Sequence, residues 1–222
     1  MKIELDIPAD DVMLKGDIVV PDNSKGLVIF SHGSGSSRLS PRNRFVAYTL
    51  ETQGFATLLF DLLTEKEDLN YQTRFDIDLL TQRLVKATEW LKSQQDYKQL
   101  NAGYFGASTG AASALRAAAV LGPEVVKAVV SRGGRPDLAE RVLESVKSPI
   151  LLLAGELDTP VIKLNQQAFK KMRCIKKLTI IPGASHLFEE PGTLEEVTRH
   201  ANEWFLKYLY RYQKEIEKDF IK

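Results

Sequence analysis

From residue 26 onward, short apolar runs alternate with stretches whose apolar residues recur at helical spacing, and this alternation leaves few folds open. Gly26–Ser31 reads Gly-Leu-Val-Ile-Phe-Ser, the pattern of a strand buried on both faces. Pro41–Gln53 predicts a helix, with Ser40 as its N-cap and Pro41 at its first position. Further strands are expected at 55–61, 100–105, 125–131, 149–154 and 177–181. Further helices are expected at 76–95, 109–121, 137–146, 160–172 and 193–212, while the polar stretch 65–73 reads as loop. Such alternation implies an α/β fold: a mostly parallel, doubly wound sheet with helices on both faces. Lys2–Pro8 and Met13–Pro21, turning at Ala9-Asp10-Asp11, add antiparallel edge strands at the N-terminus. No internal repeat or linker interrupts the 222 residues, of which 44% are hydrophobic. One domain over residues 1–222, with one sizeable core, is the expectation.

Charge excludes several classes of partner. Thirty basic and 29 acidic residues leave a net charge of +1, so no nucleic-acid-binding character is expected. Cys174 is the only cysteine, which rules out an intrachain disulfide and a cysteine metal cluster. Met1-Lys2-Ile3-Glu4-Leu5-Asp6 lacks the apolar core of a signal peptide. No run reaches the length needed to cross a membrane. These features predict a soluble, cytoplasmic protein with no membrane partner.

In open α/β sheets, ligands sit at the carboxyl ends of the strands, so the residues that follow each strand carry the functional reading. After strand 100–105 comes Gly106-Ala107-Ser108-Thr109-Gly110, and then the Ala/Leu-rich stretch Ala111–Leu121. This is G-x-S-x-G on a strand-to-helix turn, the setting of a nucleophilic serine. Glycine suits positions 106 and 110 because strand and helix pass too closely there for a side chain. A Gly/Ser turn opening an ordinary helix would look the same, so the other parts of the chemistry must also be present.

A serine hydroxyl needs a base, and the base needs an orienting partner. The chain has three histidines. His200 lies within the last predicted helix, beside its apolar face, and reads as structural. His32 follows the first core strand and reads as a residue that holds its loop. His186, late in the chain after strand 177–181, is the expected base, because this turn type orders its triad as Ser, acid, His. Two acids at strand ends fit that order. Asp158 follows the strand next to the one that leads to His186 and is the expected orienting acid. Asp137 suits an N-cap for the helix that follows it. Glu156 is a weaker rival. The oxyanion is expected to receive N–H donors from Thr109, the residue after the nucleophile, and from Ser34 in His32-Gly33-Ser34-Gly35. Losing one such donor costs ~3–4 kcal/mol of transition-state stabilisation. The same loop has Gly33-x-Gly35 but Arg38 where a nucleotide-binding turn needs a third glycine, and no Gly-Lys-Ser/Thr follows.

Taken together, His32-Gly33-Ser34-Gly35, Gly106-Ala107-Ser108-Thr109-Gly110, Gly155-Glu156-Leu157-Asp158 and Pro182-Gly183-Ala184-Ser185-His186-Leu187-Phe188 resemble the α/β-hydrolase superfamily. Within it, the compact chain is similar to the dienelactone hydrolase family over about residues 12 to 210. The resemblance implies an α/β-hydrolase fold without a lid domain, ester or lactone chemistry, and Ser108, Asp158 and His186 as the triad. One departure matters: dienelactone hydrolase itself uses a cysteine nucleophile, and position 108 here is serine. The dienelactone substrate therefore does not carry over. The run Ser131-Arg132-Gly133-Gly134-Arg135-Pro136-Asp137 also resembles family members found fused or adjacent to phosphoribosyltransferases.

Arginines cluster at the expected mouth of the site: Arg38, Arg42 and Arg44 near the oxyanion loop, and Arg132 and Arg135 after another strand. A guanidinium fork binds a carboxylate or phosphate in bidentate fashion. An anionic small-molecule substrate held by Arg38 or Arg135 is one expectation. The other is that these arginines pair with Asp61, Asp137 or helix ends. The functional expectation is a serine hydrolase that cleaves a small ester, lactone or thioester through an acyl-enzyme, with no metal and no cofactor. An acyltransferase or peptidase would use the same triad, and a non-catalytic binding partner could keep the fold. Tyr208–Lys222 is expected to extend the last helix and could pack on a second subunit, so a monomer and a homodimer both fit.

Overall fold

The structure is a computed structural model and describes residues 2–210. An antiparallel hairpin, β1 (Lys2–Ala9) and β2 (Val12–Val19), turns through Asp10, whose φ of 55° is in the left-handed region. Next come β3 (Leu27–Ser31), helix α1 (Pro41–Thr52) and β4 (Ala56–Phe60). The Ser40 hydroxyl accepts the Asn43 N–H, capping α1 as its sequence predicts.

The polar stretch expected to be loop contains a four-residue helix, α2 (Glu65–Asp68), and a 3-10 turn at Thr73–Phe75. Its cause is a capping box: the Thr64 hydroxyl accepts the Glu67 N–H, and the Glu67 carboxylate accepts the Thr64 N–H. The long helix α3 (Ile77–Ser93) follows, then β5 (Ala102–Ala107), α4 (Thr109–Leu121) and β6 (Val126–Arg132). The helix expected at 137–146 is instead a 3-10 helix over Pro136–Val142. Its Asp137 does not cap it; the carboxylate is held by Arg135. β7 (Ile150–Gly155), α5 (Thr159–Lys171), β8 (Lys176–Ile181) and α6 (Thr193–Phe205) complete the pattern, and a π turn follows at Leu206–Tyr210. The part of the expected C-terminal extension beyond Tyr210 lies outside the described residues.

The eight strands form one sheet in the order β1-β2-β4-β3-β5-β6-β7-β8. β1, β2 and β4 pair antiparallel, and every pairing from β4 onward through β8 is parallel. β3 through β7 are buried along their whole length, which is why each reads as an unbroken apolar run. Alternate side chains feed two cores. Ile29 and Tyr104 point toward α3, α4 and α5, and Phe30 and Phe105 toward α1 and α6. Each large side chain fully buried in this way contributes ~1.5–3 kcal/mol. Only a short connection joins β6 to β7, so among the described residues no lid domain is inserted there. The chain leaves β3 toward β4 on one side, whereas β5 flanks β3 on the other. A crevice opens at such a switch of direction, and two loops meet there: the one after β3 and the one after β5.

Candidate active site

Ser108 sits on the turn between β5 and α4 with φ 51° and ψ −119°, a conformation that costs a non-glycine residue about 1–3 kcal/mol. The surroundings enforce it. Its N–H donates to the Arg132 carbonyl, and its own carbonyl accepts from the N–H groups of Ala111 and Arg135. A Cβ at Gly106 would lie 2.5 Å from the Ala111 Cα, and one at Gly110 would lie 2.1 Å from the Ser31 carbonyl oxygen. The glycines therefore let strand and helix meet at the angle the turn requires. Although Ser108 occupies the N-cap position of α4, its hydroxyl caps nothing, which leaves the oxygen free for other chemistry.

Ser108, His186, Ser34, Arg42, Asn43 and Arg132 all line one open recess of about 240 Å³. That volume takes a small acyl group, below the usual size of a drug-sized ligand site. His186 Nδ1 lies 2.6 Å from Asp158 Oδ2. Asp158 is the residue before α5, and its carboxylate makes no helix-capping bond. It is largely buried whereas His186 is partly open to the recess. A carboxylate on Nδ1 directs the remaining ring nitrogen, Nε2, away from the acid. The rival acids are engaged elsewhere: Glu156 accepts the Gly183 N–H at 2.7 Å, and Asp137 is bonded to Arg135. Glu190 accepts the Ser185 N–H and so braces the loop that carries His186.

The loop after β3, expected to supply an oxyanion donor, differs in one detail from expectation. The Ser34 N–H donates to Thr109 Oγ1 at 2.8 Å, so it is already engaged. The bond ties the loop after β3 to the first residue of α4. Gly33 makes the close approach possible, since a Cβ there would lie 3.2 Å from the Ala107 carbonyl oxygen and from Ser108 Cβ.

Of the two arginines singled out, neither lines the recess. Arg38 donates to Asp61 through its backbone N–H at 2.7 Å and its guanidinium at 2.5 Å. Arg135 places Nε and Nη2 on Asp137 at 2.9 and 2.8 Å, which holds its pKa above the ordinary value. Both pairings are the alternative read from the sequence. The arginines that do reach the recess are Arg42 and Arg132, and Asn43 lines it with them. Asn43 escaped the sequence reading because it lies inside α1. Its sign was a buried polar residue in the first turn of the helix.

His32 is buried and outside the recess lining. Its Nε2 accepts the Leu62 N–H at 3.0 Å, so the proton is assigned to Nδ1, which faces the Gly33 carbonyl at 3.0 Å. It joins the loops after β3 and β4, the holding role expected of it. Burial lowers its pKa below the ordinary 6.5. The unfolded chain therefore binds a proton that the folded chain refuses, and this part of the stability is present above pH 6.5 and lost as the pH falls through the folded pKa. Thermal melts of wild type and His32→Asn between about pH 8 and 5 should show the wild-type advantage shrink on the acid side. A constant difference across that range would show that His32 is not held neutral. His200, bordered by Glu196, Arg199 and Glu203, is half-buried on α6 and remote from the recess.

This sheet, with its switch point and its serine turn, defines an α/β-hydrolase fold. Residues 14–214 match the dienelactone hydrolase family, and the chain belongs to that family. A hydrolase is the activity that membership supports. The crystal structure of a dienelactone hydrolase from Anabaena variabilis ATCC 29413 is 53% identical, superposes with a TM-score of 0.92, and covers 94% of this chain and 98% of its own. Est1E from Butyrivibrio proteoclasticus shares the fold at a TM-score of 0.78 and 19% identity, covering 92% of this chain and 98% of its own. Two Mycobacterium tuberculosis proteins, from strains CDC 1551 / Oshkosh and ATCC 25618 / H37Rv, are 54% identical over 207 residues and are each named a putative phosphoribosyl transferase. The match takes in 93% of this chain but 46% of theirs, so the chain spans about half the length of these relatives. No helix among the described residues is long and apolar enough to cross a membrane.

Proposed function

We propose that this chain is a serine hydrolase that cleaves a small ester, lactone or thioester. The observation that carries the reading is the 2.6 Å contact of His186 Nδ1 with Asp158, on a histidine that shares the recess with Ser108. His186, through Nε2, takes the proton of Ser108 as Oγ attacks the carbonyl, and Asp158 stabilises the imidazolium that forms. The Thr109 and Ser34 N–H groups hold the oxyanion. For Ser34 this means exchanging the Thr109 hydroxyl for a charged oxygen, and charge-assisted hydrogen bonds are roughly twice as strong as neutral ones. The leaving group takes the proton from His186. Water, activated by the same histidine, then releases the acid from the acyl-enzyme.

An acyltransferase or peptidase would share the acyl-enzyme and differ in what it is given or cleaves; release of free acid from an ester in water distinguishes hydrolysis. We assign the transferase name of the longer relatives to the half of them that this chain does not span. A fluorophosphonate probe tests the reading against a non-catalytic scaffold in one step. Wild type should be labelled on Ser108, and Ser108→Ala should take up no label. An unlabelled wild type, or a label that persists in the variant, removes the proposal.

A further inference from the structure

Nucleophile, base and acid leave Arg132 without a task. Its backbone pairs with Ala107 at the end of β5, one residue from the nucleophile, and its side chain lines the recess while only 7% exposed. A guanidinium has five N–H donors and no acceptor. Here Nη2 makes one long hydrogen bond, 3.3 Å to Asn43 Oδ1, and the buried Nε has no partner. The Phe188 ring lies 5.7 Å away, a weaker satisfaction of charge than an anion. Arg42 lines the same recess, also with a buried Nε that lacks a partner. The nearby carboxylates are already committed: Asp61 to Arg38, Asp137 to Arg135, Asp158 to His186, and Glu190 to Ser185. Among the described residues the carboxylate paired with these arginines is that of Glu189, which meets Arg42 at the rim, 2.6 Å from Nη1.

Two cations that line one recess repel, and one of them is out of water. Burial and the charge on Arg42 push the Arg132 pKa down to about 10, which still leaves it charged at neutral pH. A buried charge without a counter-charge is unfavourable unless something supplies one. The recess is open, so a ligand can.

We propose that Arg132, with Arg42 and Asn43, forms an anion subsite that takes a terminal carboxylate or phosphate of the substrate beside Ser108. The inference rests on the hydrolase reading for the word substrate, but the binding of an anion does not depend on turnover. The subsite selects acyl compounds with an oxyanion tail and turns their carbonyl toward the serine. Glu189 competes with the ligand for Arg42 and so tunes its affinity.

The test uses anions alone and then their effect on turnover. Inorganic phosphate and glutarate are titrated by calorimetry into wild type, Arg132→Met and Arg42→Met, against potassium chloride at equal ionic strength. At least one anion should bind wild type with a sub-millimolar dissociation constant, and whichever binds more tightly identifies the tail as phosphate or carboxylate. Loss of a charged hydrogen-bonding partner should weaken binding about tenfold or more in Arg132→Met. Arg42→Met, a change at a partly exposed helix residue that leaves the buried strand residue intact, should weaken it too and guards against misfolding of the first variant. Glu189→Gln should tighten it. The same anion should inhibit hydrolysis of a neutral p-nitrophenyl ester competitively in wild type. An enzyme that hydrolyses the neutral ester but binds neither anion would sink the subsite and leave the hydrolase reading standing. Anion binding in a protein without esterase activity would do the reverse. Binding that is equal in wild type and both arginine variants would overturn the assignment of the residues.

Discussion

Ser108→Ala is expected to lower kcat on p-nitrophenyl acetate by about 10⁴- to 10⁶-fold, the usual effect of removing a nucleophile that works as a unit with its base. The fold should survive, because the hydroxyl makes no capping bond and the backbone contacts of residue 108 are made by its N–H and carbonyl. A second substitution separates chemistry from architecture. Alanine keeps the Cβ, and with it the strain of φ 51°, whereas glycine relieves it. Ser108→Gly should therefore be as inactive as Ser108→Ala and more stable by about 1 kcal/mol or more, read as a higher Tm. The strain is then a cost of aiming the side chain out of the turn. Wild-type turnover in either variant would show that another residue attacks. Equal melting temperatures for the glycine and alanine variants would show that the turn is not strained.

The parts of this arrangement that the sequence disclosed share a physical cause. β3 to β7 are buried on both faces, so nothing but apolar residues could occupy them and each run stands out. The serine turn is legible because its glycines are sterically compelled. Strand order was less accessible: β3 lies between β4 and β5, an arrangement set by right-handed crossovers and packing rather than by any local pattern. The α2 segment was missed for a different reason. A helix of four residues that buries none of them has no periodicity to detect, though Thr64-Glu65-Lys66-Glu67 carried the capping-box spacing. Long side chains were the hardest to place. Arg38 and Arg135 each have an acid within reach, Asp61 and Asp137, and a flexible cation takes the partner that its neighbours offer. Arg132 closes a buried strand, and among the described residues no ion pair forms to its guanidinium, which no local sequence pattern announces.

Gly110→Ala carries the largest expected structural effect. The glycine lies in the first turn of α4, where alanine would ordinarily stabilise a helix by about 1 kcal/mol. Here the added Cβ would stand 2.1 Å from the Ser31 carbonyl oxygen and 2.4 Å from that of His32. Both atoms are backbone at the end of β3, so neither can swing aside as a side-chain tip would. The helix must move off the sheet, which opens the packing of Ala111, Ala112 and Leu115 beneath it. Overpacking of this kind costs about 3 kcal/mol or more, enough to reverse the propensity gain and consume a large share of a typical domain's 5–15 kcal/mol. The displacement also carries Thr109 away from the Ser34 N–H, so activity should fall with stability rather than after it. Gly122→Ala is the matched control. It closes the same helix at φ 75° with nothing within 4 Å of the new Cβ, so it incurs backbone strain of about 1 kcal/mol and leaves the site alone. Urea denaturation and ester turnover on the two variants decide the matter. If Gly110→Ala melts no lower than Gly122→Ala and keeps its activity, α4 has room to shift, and the contact between helix and strand does not fix the serine turn.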